Sequence, residues 1–241
     1  MKLNPNADRK DIPRHLLGQL IYDNTFMRFK FTTFFVTFVL IGLLTLGPLV
    51  LFQNKVTLYI VSSLVGLLVI LNFRVLLTRE ENFKYLTTLY LGFAGFVGAM
   101  AYFITSLQIA KTAGVSSVIY YIVAAFFFLV SWYVFIYIQS KNYKIEPPVT
   151  KKNKASLPVG PWIFFGGPLG YVVVQFLLAG NQYFLQLFMT FMYQFLAIFF
   201  VYMGAKFLSQ CWFMLQNRHL VKRLNNERKN KKMAKRRTKN V

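Results

Sequence analysis

The chain reads as an all-α, polytopic membrane protein of about six transmembrane helices, with the N-terminus and the C-terminus both cytoplasmic. Three observations predict this. Hydrophobic residues make up 56% of it, more than the roughly 45–50% of an ordinary soluble domain. From Ala155 to Ala205 there is no charged residue, which leaves room for two bilayer crossings of about 20 residues each. Finally, the charges are confined: 28 Lys and Arg stand against 7 acidic residues, and they cluster between alternate apolar runs.

The spans follow in order. Uncharged apolar stretches run from Phe31 to Phe52, Val56 to Phe73, Tyr85 to Ala110, Thr112 to Ser140, Val159 to Ala179 and Gln182 to Ala205. The second is near the lower limit for a crossing. Backbone groups in lipid must be bonded within a helix or a closed barrel. Continuous apolar runs without alternation of polar residues indicate helices and argue against a barrel.

Orientation comes from the loops. Lys2, Arg9, Lys10, Arg14, Arg28 and Lys30 precede the first span. Arg74, Arg79 and Lys84 follow the second, Lys141, Lys144, Lys151, Lys152 and Lys154 follow the fourth, and the rest lie from Lys206 onward. Only Lys55 and Lys111 fall on the other side, with a neutral Gly180-Asn181 turn. By the positive-inside rule both ends face the cytoplasm. The polar, basic start suggests a retained anchor in place of a cleavable signal peptide.

This divides the chain into a cytoplasmic segment over 1–30, a six-helix membrane domain over 31–205, and a helical extension with a basic, disordered tail over 206–241. Within the first segment, Leu16, Leu17, Leu20 and Ile21 could form the apolar face of a short interfacial helix after Asp11-Ile12-Pro13. After the sixth span, Phe207, Leu208, Cys211, Trp212 and Leu215 keep helical spacing, so the helix should continue past the bilayer with Trp212 near the headgroups. No segment outside the membrane is large enough to bury a core of its own.

Several constellations are candidates for function. In the fifth span Gly166, Gly167 and Gly170 surround Pro168, a combination that kinks or interrupts a helix and can expose backbone to a ligand. In the sixth, Gln182, Gln186, Thr190 and Gln194 recur at steps of four, with Tyr193 adjacent and Gln175 on the fifth span. Such a stripe must face protein or water, because an unpaired amide in hydrocarbon costs several kcal/mol. It serves either interhelical hydrogen bonding, the favoured reading, or a path lining. In the third span Gly92, Ala94, Gly95, Gly98 and Ala99 form small-residue pairs such as Ala94 with Gly98, which predict close helix packing.

The tail carries Lys222, Arg223, Arg228, Lys229, Lys231, Lys232, Lys235, Arg236 and Arg237. These suit anionic lipid headgroups. RNA or ribosome contact is the less favoured reading, since no aromatic residue follows Phe213 to stack on bases.

The chemistry-bearing residues point away from catalysis. Asp8, Asp11, Asp23, Glu80, Glu81, Glu146 and Glu227 all lie outside the expected spans, as do His15 and His219. With one cysteine, Cys211, no intramolecular disulfide or multi-cysteine metal site can form. The expectation is therefore a non-enzymatic membrane component without metal or cofactor, with an accessory, assembly or protective, immunity-like role. It would act through helix contacts with a membrane-protein partner, a second copy or the lipid bilayer. A small transporter, permease or channel subunit lined by the fifth and sixth spans is the alternative. The plasma membrane of a bacterium is favoured over the endoplasmic reticulum of a eukaryote.

Overall fold

The computed structural model describes residues 26–51, 54–78, 80–142, 182–221 and 223. The N-terminal interfacial helix, the fifth expected span and all the tail residues named above except Arg223 lie outside them. Among the described residues every regular element is helical, and five helices are long and apolar enough to cross a membrane.

Helix α1 runs from Phe26 to Leu51 as one rod with an unusual middle: Phe26–Phe35 is α-helical, Val36–Leu43 is π-helical, and Leu44–Leu51 returns to α. It contains Pro48, which has no N–H to offer the ladder. The next helix, α2, is Lys55–Leu76, opened by Asn54, whose side chain accepts from the Thr57 N–H at 3.2 Å. The apolar run read from sequence stops at Phe73, yet the helix continues through an exposed Arg74 to Leu76. At that end Lys30 Nζ donates to the Leu76 carbonyl at 2.6 Å, a cation placed where the helix dipole is negative.

Helix α3 is Glu80–Thr112. It stops at Gly114, whose φ of 85° is left-handed. Val115 N–H then reaches back to the Ala110 carbonyl at 3.0 Å, the closing bond of a Schellman motif. Helix α4 is Val118–Asn142. Helix α5, Gln182–Gln216, is the sixth expected span. Its 35 residues reach about 52 Å at about 1.5 Å each, well beyond a hydrocarbon core of about 30 Å. The helix runs without a break past Ala205 through Trp212, which is exposed.

The long helices α3 and α5 form the axis of the bundle. Helix α3 is the most covered span, 56% buried, and packs on α1, α2 and α5. Helix α4 is only 6% buried. It rests on α5 and touches α3 through aromatic rings: Phe103 stacks on Phe128 at 4.3 Å, and Phe96 meets Trp132 at 4.1 Å.

Glycines explain why α3 and α5 approach so closely. A Cβ placed on Gly95 would lie 2.4 Å from both Cα and N of Gly204, and one on Gly92 would lie 2.7 Å from the Leu208 side chain. On Gly98 it would meet the Phe200 ring at 2.8 Å and Ile41 at 3.0 Å. The small-residue reading of the third span therefore describes a helix interface, with Ala94 and Ala99 buried as well. The pairing differs in detail from Ala94 with Gly98, since Gly92 and Gly95 face α5 across Gly204.

Candidate functional site

One stripe of α1 organises the polar interior. Thr33, Thr37, Ile41, Thr45 and Leu49 recur at steps of four, and each is completely buried. In a regular α-helix four residues overshoot one turn by about 40°, so such a stripe would wind away from any partner. The wider π turn over Val36–Leu43 offsets that drift. The same side of α1 consequently faces its neighbours from Thr33 to Leu49.

Widening the helix also frees carbonyls. The Leu44 N–H bonds to the carbonyls of Ile41 and Val39, passing over Leu40. The Leu40 carbonyl receives the Tyr102 hydroxyl from α3. Four residues on, Pro48 cannot supply the N–H that the Leu44 carbonyl would accept. Tyr193 of α5 donates its hydroxyl there at 2.5 Å. The rings carrying these hydroxyls adjoin each other, with centroids 5.6 Å apart, and Tyr102 stacks on Phe200 at 5.1 Å.

Nearer the start of α1, Thr37 Oγ1 donates to the Thr33 carbonyl at 2.7 Å and shares a hydrogen bond with the Tyr90 hydroxyl of α3. Asn72 Nδ2 of α2 donates to Thr37 Oγ1 at 3.0 Å and to the Thr33 carbonyl at 3.4 Å. Asn72 Oδ1 and, one turn from Tyr90, Thr87 Oγ1 make no hydrogen bond to the chain. At the far end, Asn54 Nδ2 and Thr57 Oγ1 donate to Gln108 Oε1 at 2.9 and 3.3 Å, tying α2 to α3. The crossing consists of hydroxyl, amide and carbonyl groups, and it links four helices without a charge.

The sequence-predicted sites fare differently. Gly166, Gly167, Gly170 and Gln175 lie outside the described residues. On α5, Gln182 is exposed, Gln186 half-buried, Thr190 buried and Gln194 half-buried. Steps of four in a regular α-helix drift, so the stripe enters the packed face at Thr190 and leaves it again. Thr190 Oγ1 donates to the carbonyl of Gln186 at 2.9 Å, and Gln194 Nε2 donates to the Tyr120 hydroxyl of α4 at 3.0 Å. Gln194→Leu should therefore cost about 0.6 kcal/mol, with an upper bound near 1.7, and Gln186→Leu less. Thermal unfolding in detergent measures both, and a larger loss for Gln186→Leu would contradict this placement. Of the tail residues, Arg223 alone is described and is half-buried.

Sequence reading missed the crossing because Thr, Asn and Tyr were counted within otherwise apolar runs. The available signal was the step-of-four recurrence of Thr33, Thr37 and Thr45, combined with Pro48 three residues later.

A second feature lies where α4 meets the α3–α5 pair. A cavity of about 520 Å³ opens between the start of α3, the end of α4 and the last turns of α5. Leu89, Phe96, Ile136, Ala205 and Leu208 line its walls, with Tyr85, Ser140, Ser209 and Gln216 as polar members. Among the described residues no group of His, Cys, Asp or Glu is arranged to hold a metal ion. No family model matches the chain, and no curated protein or solved structure matches it either.

Proposed function

We propose that this is a non-enzymatic, multi-pass membrane component with an accessory, assembly or protective role, working through helix contacts with a membrane-protein partner. The observation that carries the reading is the contrast between α3 and α4. The polar groups of α1, α2, α3 and α5 are largely spent on one another, as a scaffold requires. Helix α4 meanwhile presents Ile119, Ile122, Phe126, Phe127, Leu129 and Tyr133 outward, each more than 60% exposed. In hydrocarbon such a face lacks a hydrophobic drive to associate, so a partner would bind through shape and aromatic packing. The bond from Gln194 to Tyr120 supports an assembly role for the α5 stripe over a permeation lining.

Purification in mild detergent tests the proposal. A stoichiometric membrane-protein partner that is lost on Phe126→Ala with Tyr133→Ala is the expected result. Co-purification with an ATPase would replace this reading with that of a permease subunit.

The proposed topology places both termini in the cytoplasm, within the plasma membrane of a bacterium, and counts the fifth span. Reporters fused at Asn54, Lys111 and Asn181 should then report the outer side, and those at Asn82, Asn153 and Val241 the inner side. An outward C-terminus would mean an odd number of crossings and overturn the count of six.

A further inference from the structure

We infer that the cavity between α3, α4 and α5 holds one acyl chain of an anionic phospholipid, its headgroup seated at the basic ends of α4 and α5. The dimensions suit such an occupant. Tyr85 to Phe96 on α3, and Ala205 to Gln216 on α5, each span about 16 Å at about 1.5 Å per residue. One leaflet contributes half of a hydrocarbon core of about 30 Å. The volume of about 520 Å³ lies within the roughly 300–1,000 Å³ of sites that take small ligands.

The lining is mostly apolar along that length. Phe96 and Ala205 mark one end, and Leu89, Ile136, Leu208, Phe213 and Leu215 continue the apolar wall, interrupted by Ser209. Tyr85, Ser140 and Gln216 bring polar groups to the other end, where α3 starts and α4 and α5 finish. An acyl chain fits the apolar wall, and its head the polar groups at that end.

Charge selects the kind of head. Lys141 directly follows Ser140 and is exposed, with its Nζ 4.6 Å from the Tyr137 ring centroid. Arg218, two residues past Gln216, is exposed as well. Two exposed cations at the ends of α4 and α5 that the cavity reaches favour a net-anionic head over a zwitterionic one.

The full chain, purified in nonionic detergent, is offered phosphatidylglycerol or phosphatidylcholine, and lipid retained per intact chain is measured by mass spectrometry. Retention of phosphatidylglycerol should be saturable, with roughly thirtyfold preference over phosphatidylcholine, the scale expected of two surface cations at about 1 kcal/mol each. Ser209→Trp and Leu89→Trp, which fill the lumen, should abolish it. Lys141→Gln with Arg218→Gln, which alters exposed side chains only, should retain both lipids equally. The inference is overturned if the wild-type chain retains no phosphatidylglycerol or shows no preference. It is equally overturned if a Trp variant with wild-type thermal stability still binds, or if the preference survives in the double Gln variant. Should both Trp variants misfold, the double Gln variant decides.

Discussion

Gly95→Ala is expected to be the most damaging single methyl that can be added to this protein. The new Cβ would sit 2.4 Å from backbone atoms of Gly204, and backbone cannot rotate aside as a side-chain tip can. The helices must separate, which costs the packing of Gly92 on Leu208 and of Gly98 on Phe200 along with it. Overpacking in a closed site typically costs about 1–3 kcal/mol and occasionally more. Gly66→Ala supplies the control, because a Cβ there meets nothing within 4 Å. As an interior helix position, it should be neutral or gain up to about 1 kcal/mol. Thermal unfolding of both variants in one detergent reads the difference, and equal midpoints would show that α3 and α5 are not in contact through Gly95.

The second large effect belongs to Tyr193. Tyr193→Phe keeps the ring but removes the donor that serves the Leu44 carbonyl. Because Pro48 offers no N–H in its place, the carbonyl is left unsatisfied, at a cost of about 1–3 kcal/mol. Pro48→Ala restores the missing helical donor, so the double variant should recover much of the loss. The two changes are predicted to be strongly non-additive in a double-mutant cycle. Additive effects would mean that Tyr193 stabilises the bundle by its ring packing alone.

Most of the architecture was legible in the sequence because it rests on a coarse physical rule. A charge in hydrocarbon is expensive, so charge-free runs mark spans, and five of the expected six coincide with described helices. The boundaries were less legible. Arg74 ends an apolar run without ending α2, since a long exposed side chain can reach past the helix end. The small residues of the third span announced close packing, but which of them meets α5 depends on helix rotation.

Rotation also separates the two step-of-four stripes. On α1 the pattern is held to one side by π turns, and Thr37 finds Asn72 and Tyr90. On α5 no such widening is present. Gln182 to Gln194 consequently spiral across the surface, leaving Gln182 exposed. Sequence spacing alone carries no record of where a helix changes its winding, so the two stripes look alike in the sequence although only the one on α1 keeps to a single side.

The contact of Gly95 with Gly204 also sets a schedule. Its two halves are separated by most of the membrane domain, so a ribosome adding about 5–20 residues each second delivers the second half several seconds or more after the first. Throughout that interval the glycine face of α3 stands in the bilayer without its mate. A nascent chain halted before Gly204 would carry its principal seam open.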